Sequence, residues 1–246
     1  MPFRAGSLKI IARTVESLFW PPHCALCYNR TNNDPVCSSC MQDSSLDCSR
    51  RCPICGEDIG NNSLCSNHPK AAYPFYMSIF SFDGVIRELI HMLKYAGRKD
   101  IGRFLGYYMV SAIEWDSITT SADCLVPVPL HSSKKRDRGF NQSDVIGGAI
   151  AKALGLPLVS NAVKRVRMTE SQTKMENAEA RKSNMAGAFV SSSELSGRNV
   201  VIIDDVITTG ATTYELAKSI DIAGGNVICA VSIAHPALDD SVECQV

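Results

Sequence analysis

The chain has 246 residues, 45% of them hydrophobic and 20% charged, and its 25 basic and 25 acidic side chains cancel to a formal net charge of zero. That is the composition of a soluble globular protein with room for one large domain and a small one. It excludes a wholly basic nucleic-acid surface, and with no run of eighteen apolar residues it offers no membrane-spanning helix.

At the N-terminus, Leu8, Ile11, Val15 and Leu18 share one helical face, which predicts an amphipathic helix within residues 1–23. Lys9, Arg13 and Glu16 interrupt the apolar run, so it does not read as a secretory signal, and a cytoplasmic, reducing location is expected. The chain contains 11 cysteines, seven of which, together with His68, are best read against a spacing rule. Cys24, Cys27, Cys37 and Cys40 follow C-x2-C-x9-C-x2-C, and Cys52, Cys55, Cys65 and His68 repeat the pattern 28 residues later with histidine in the last place. Paired C-x2-C turns present thiolates in the way a tetrahedral zinc ion needs. Residues 24–72 are therefore expected to form a double zinc ribbon with two closed, structural zinc sites. Cys48 competes with His68 for the fourth place in the second site. Residues 24–82 carry four basic and five acidic side chains, so this part has no basic footprint for nucleic acid.

From residue 76 the pattern changes to alternating strands and helices, which implies a parallel sheet flanked by helices over residues 76–240. Met77–Phe82 reads as a strand. Asp83 is placed to cap a helix whose Val85, Ile86, Leu89, Ile90 and Leu93 share a face. A further helix is expected over 101–115, a buried strand over 124–130, and a helix from Asn141 to Ala153 that stops at Gly155 and Pro157. Cys124 and Cys229 lie in apolar strand contexts and read as core. The stretch 131–142 reads as a loop opening on the sheet's carboxyl edge. Its cations Lys134, Lys135, Arg136 and Arg138 suit pyrophosphate or a nucleic-acid backbone, with Arg136 and Arg138, beside Gly139-Phe140-Asn141-Gln142, preferred over the lysines. Segment 168–186 is polar and placed to close as a hood over a ligand. Charge also shifts along the chain: residues 83–182 carry 16 Lys/Arg against 11 Asp/Glu, and residues 190–246 carry 2 against 8. The basic half suits phosphate-bearing ligands.

Residues 199–213 carry the most chemistry. Val200–Ile203 form a strand apolar on both faces, and Asp204 and Asp205 follow at its carboxyl end. Thr208, Thr209, Gly210, Ala211, Thr212 and Thr213 come next, then a helix with Leu216, Ile220 and Ile222 toward the core. A helix N-terminus at the carboxyl edge of such a sheet offers free N–H groups to a phosphate. The hydroxyls add donors, and Gly210 lets the backbone close around an anion. Two carboxylates do not hold a phosphate; they suit sugar hydroxyls or a magnesium ion carried by the ligand.

This stretch resembles the 5-phosphoribosyl-1-pyrophosphate (PRPP) loop of type I phosphoribosyltransferases. The resemblance implies that Asp204 and Asp205 hold the ribose hydroxyls, one of them serving as the catalytic base, and that Thr208, Thr209, Gly210, Ala211 and Thr212 wrap the 5′-phosphate. Val-Pro-Leu-His before Arg136-x-Arg138-Gly-Phe-Asn-Gln, then Arg165-x-Arg167-x-Thr169-x-x-Gln172, Arg181-x-x-Asn184 and Gly187-Ala188-Phe189 extend the likeness to the ComF family, as do Trp20-Pro21-Pro22 ahead of the first cysteine knuckle. His68 departs from the cysteine common at that place. Membership implies a phosphoribosyltransferase-like fold, PRPP with magnesium as ligand, and a role in natural competence alongside incoming single-stranded DNA and other competence proteins. Three readings remain open: a DNA-uptake factor using the transferase fold, an active phosphoribosyltransferase with an unidentified base or amine acceptor, and a zinc-stapled protein-binding scaffold.

Overall fold

The apolar run Val200–Ile203 loses all contact with solvent, and the reason is its place inside a sheet with a partner strand on each side. The structure, a computed structural model, describes residues 22–42, 44, 46–62, 64–167 and 187–236. The expected helix on Leu8, Ile11, Val15 and Leu18 and the expected hood over 168–186, with Thr169, Gln172, Arg181 and Asn184, lie outside the described residues. Two compact units divide the chain, Met1–Ser44 and Ser45–Val246. The second cysteine knuckle therefore shares a unit with the sheet and is separate from the first knuckle.

The strands in chain order are β1 (Arg50–Arg51), β2 (Tyr76–Ser81), β3 (Cys124–Pro127), β4 (Val163–Arg165), β5 (Phe189–Ser191), β6 (Asn199–Val206) and β7 (Asn226–His235). The helices are α1 (Ser38–Gln42), α2 (Gly84–Tyr95), α3 (Lys99–Ala112), α4 (Asp116–Thr119), α5 (Ser132–Arg138), α6 (Gln142–Leu154) and α7 (Ala211–Ile222).

In the larger unit the main sheet runs β1-β2-β7-β6-β3. β2, β7, β6 and β3 are parallel, and the short β1 pairs antiparallel with β2 at one edge. Parallel pairing forces each return across a helix, so the helices flank the sheet and the strand ends bearing ligand chemistry collect on one edge. β4 and β5 form a separate antiparallel pair. α3 packs on α6, and α6 packs on β6 and β3. Two glycines on α3 permit that approach. A Cβ at Gly106 would lie 2.7 Å from the Ile146 carbonyl oxygen, and one at Gly102 would lie 2.9 Å from Val145 Cγ1.

Several expectations shift in detail. The helix expected over 101–115 spans Lys99–Ala112, and the strand expected over 124–130 ends at Pro127, although the Val128 amide still donates to the Ile203 carbonyl oxygen at 2.8 Å. Asp83 takes the extended N-cap conformation of α2 but makes no side-chain cap bond. Asn141 does cap α6, its side chain accepting from the Ser143 amide, and Gly155 closes that helix in the left-handed conformation. Ile222 is 86% exposed, against the expectation that it faces the core. Two residues past the buried Ile220, it is turned about 200° around the helix, away from the apolar stripe. The stretch expected as a loop over 131–142 contains the helix α5. His131 caps its start by accepting from the Ser133 amide, the basic residues Lys134, Lys135 and Arg136 are good helix formers, and Gly139 at φ 77° ends it.

Candidate functional site: a sugar-phosphate pocket at the sheet edge

Asp204 and Asp205 occupy the last turns of the pleat in β6, and both are buried. Directly after them the chain turns through Thr208, Thr209 and Gly210 into α7. Gly210 is the N-cap of that helix, at φ 70°, and supplies no side-chain cap, so the first-turn amides of α7 keep their capacity to bind an anion. A small open pocket lies here, lined by Asp204, Val206, Ile207, Thr208, Gly210, Thr212 and Thr213. Among the described residues, the buried Thr209 Oγ1 has no hydrogen-bond partner. A buried hydroxyl without a partner is uncommon in folded proteins, and here it lies in the turn that the sequence assigns to a phosphate.

The two carboxyls differ sharply in electrostatics. Burial, and next the charge of Asp205, push the Asp204 carboxyl well above the usual carboxylate range. Asp204 Oδ1 accepts from Ser143 Oγ at 3.1 Å and from the Asp205 amide at 2.8 Å. Burial also works to raise Asp205, but the adjacent Lys94 ammonium outweighs it and holds Asp205 below its ordinary value. Lys94 Nζ forms an ion pair with Asp205 Oδ2. Asp204 is thus pushed toward its protonated form and Asp205 toward its ionised form, as happens when two close, buried acids share a site and an ammonium sits directly against one of them. Arg165 adds a second cation facing Asp204; its own charge is disfavoured first by burial, with Asp204 acting the other way.

Along the same edge, Lys134 has its ammonium disfavoured by burial and then by Arg165, Arg138 and Lys94. Four cations thus converge near the acidic pair. Arg138 donates to Gln142 Oε1 at 2.8 Å and places its guanidinium 5.3 Å from the ring centre of Tyr95. Tyr95, itself 68% exposed, packs against His91 with the ring centres 4.5 Å apart and the planes tilted by 45°. Arg136 is exposed on α5. The sequence reading preferred Arg136 and Arg138; the folded chain instead sets Lys134 with Arg138 among the converging charges, because α5 turns successive residues by 100°. Lys94, Ser143 and Tyr95 were not singled out from sequence. Each sits on a helix whose apolar stripe was visible, but nothing in that stripe tells which polar neighbour meets a strand end 60 or more residues away.

The cysteine groups are assembled as their spacing predicts. The donor atoms of Cys24, Cys27, Cys37 and Cys40 lie within 4.8 Å of one another, as do those of Cys52, Cys55, Cys65 and His68. Zinc–sulfur bonds of about 2.3 Å in a tetrahedron give edges of roughly 3.8 Å. The observed Cys24–Cys40 and Cys27–Cys37 sulfur separations are 3.8 and 3.6 Å. In the second group Cys52 and Cys65 stand 3.6 and 3.7 Å from His68 Nδ1. Both groups fit a tetrahedral zinc ion with no place left for a substrate, so zinc would be structural in each. Cys48 takes no part: its sulfur is directed at the Ala112 carbonyl oxygen, 3.6 Å away.

Comparison with known proteins places this architecture. A family model described as the phosphoribosyl transferase domain matches residues 142–243, the segment from α6 through β7 that builds the pocket. The DNA utilization protein YhgH of Salmonella typhi is 32% identical over 212 residues, covering 83% of this chain and 91% of that protein. YhgH of Escherichia coli (strain K12) is 32% identical over 189 residues, covering 74% and 82%. Competence protein F of Haemophilus influenzae is 38% identical over 99 residues, covering 39% and 43%. The fold and site define a phosphoribosyltransferase-like protein. The chain belongs to the ComF family.

Proposed function

We propose that this protein binds PRPP with magnesium at the carboxyl edge of β6 and acts in natural transformation, handling incoming single-stranded DNA. Asp204 and Asp205 take the ribose hydroxyls and the magnesium carried by the ligand. Thr208, Thr209, Gly210, Ala211 and Thr212 take the 5′-phosphate through backbone amides and hydroxyls. The observation that carries this reading is that Asp204 lines the same pocket as Thr208, Gly210 and Thr212. The DNA role draws support from the relatives' names, DNA utilization protein and competence protein, and from the cationic edge beside the site. Arg138 with Tyr95 supplies a charge and a ring face, the two elements that bind single strands without reading sequence.

Calorimetric titration with PRPP and magnesium tests the first part: the parent binds, and the variant carrying Asp204→Ala with Asp205→Ala does not. Retention of single-stranded DNA tests the second part, weakening steeply with salt and reduced by Arg138→Ala with Tyr95→Ala. No PRPP affinity in the parent would leave the zinc-stapled scaffold as the better account. A second reading, phosphoribosyl transfer to a base or amine, is favoured by the cations Lys134 and Arg165, which suit the charge of a departing pyrophosphate, and by an Asp204 carboxyl poised to exchange a proton. Pyrophosphate release with any acceptor in a broad panel supports it.

A further inference from the structure

The turn that wraps the proposed phosphate is braced from both sides by the second cysteine knuckle. On one side lies Pro53, between the ligands Cys52 and Cys55. A Cβ at Gly210 would stand 2.7 Å from the Pro53 carbonyl oxygen, so the cradle's glycine and the knuckle's turn are in direct backbone contact. The knuckle turn is itself fixed: the Ile54 amide donates to Cys52 Sγ at 3.4 Å, and the Gly56 amide donates to the Cys52 carbonyl at 2.9 Å. On the other side stands Tyr73, five residues beyond His68 and fully buried. Its hydroxyl lies 2.7 Å from Thr213 Oγ1. Thr213 spends its single hydroxyl proton on the Gly210 carbonyl at 2.9 Å, so Tyr73 must be the donor to Thr213. A chain of hydrogen bonds therefore runs from Tyr73 through Thr213 to Gly210, the residue that shapes the cradle.

We propose that the second knuckle is the positioning element of the phosphate cradle: metal at Cys52, Cys55, Cys65 and His68 sets the conformation of residues 208–213 through Pro53 and Tyr73. The ligand named for that cradle rests on the reading under Proposed function; the coupling itself does not. The first knuckle, in its own compact unit, serves as the internal control.

The test uses the full chain and hydrogen–deuterium exchange of the amides of residues 208–213. Cys65→Ser, with one zinc fewer, is expected to speed their exchange at least about tenfold, whereas Cys37→Ser, also losing one zinc, leaves them at the parental rate. Tyr73→Phe, which keeps both zinc ions, speeds the same amides and weakens PRPP–magnesium binding by about five- to tenfold, the effect of one buried hydrogen bond. If Cys65→Ser unfolds the larger unit outright, His68→Ala, which leaves three thiolates to hold the metal more weakly, takes its place beside Tyr73→Phe, and parental exchange at 208–213 in His68→Ala on zinc removal overturns the metal's role. Parental exchange at 208–213 in Tyr73→Phe overturns the proposal, as does equal loosening by Cys37→Ser and Cys65→Ser. A parent that binds no PRPP overturns the ligand assignment, while the exchange rates still judge the coupling.

Discussion

Asp204 and Asp205 are adjacent in sequence yet shifted in opposite directions from the usual carboxylate range, and the difference comes from which helix each side chain meets. Lys94 of α2 favours the ionised form of Asp205, while burial and the neighbouring Asp205 charge favour the protonated form of Asp204. The sign of the linkage follows. A carboxyl whose folded pKa is raised contributes stability that is fully present below its unfolded value and is lost as pH rises through the folded one. At neutral pH, Asp204→Asn is therefore expected to raise the melting temperature of the free protein while weakening PRPP–magnesium binding. Magnesium at the pair favours the ionised form, so binding should release on the order of one proton and tighten with rising pH by up to about tenfold per unit. Calorimetry in two buffers of different ionisation enthalpy measures that proton. No release would mean that Asp204 does not meet the cation. The identities of both residues were plain in the sequence; the proton each carries was not, since it depends on Lys94, more than a hundred residues earlier.

At the level of elements, packing and capping decide. α3 lies close on α6 because Gly106 leaves room for the Ile146 carbonyl, so Gly106→Val is expected to cost about 1–3 kcal/mol in urea unfolding. Gly148 on α6 has open space around its would-be Cβ, and Gly148→Ala should stabilise by about 0.4–1 kcal/mol through the unfolded chain. The entry to β1 is tied to the end of β7 by Asp47, which accepts from Arg51 Nη2 at 2.7 Å and from His235 Nε2 at 2.8 Å. Burial works to raise its carboxyl, but bonds from Ser49, Arg51 and His235 prevail and hold it far below the ordinary range. Asp47→Ala leaves Arg51 buried without its carboxylate and should cost about 3 kcal/mol at neutral pH. A depressed carboxyl stabilises above its unfolded value, so the gap between parent and variant should shrink as pH falls below about 4. Denaturant melts across pH check both statements. Helix spans were legible from apolar periodicity to within a few residues. The helix α5 was not, because its seven residues carry no apolar stripe and none of them is buried.

For the whole molecule, the two cysteine knuckles repeat in sequence but belong to different compact units. Atomic spectroscopy is expected to find two zinc ions per chain, falling to one in Cys37→Ser, whose main thermal transition should match the parent's. Cys65→Ser should lower that transition, because a structural zinc contributes on the order of 10 kcal/mol to the fold around it and here that fold includes the sheet. Identical melting of the two variants would contradict the division. The main sheet then provides one edge where strand ends from β3 and β6 open beside the N-terminus of α7.

The sequence alone determined the two groups of metal-type donors, the alternation of strand and helix, and the order of carboxylates, hydroxyls and glycine in the loop, because each of these is a short-range pattern set by bond geometry and side-chain chemistry. Only the tertiary structure decided that Lys94 meets Asp205 and Ser143 meets Asp204, that Lys134 joins Arg138 at the cationic edge, and that Pro53 and Tyr73 touch Gly210 and Thr213. Those are contacts between residues far apart in the chain, fixed by the parallel pairing of the sheet and the burial it imposes, and no local spacing records them.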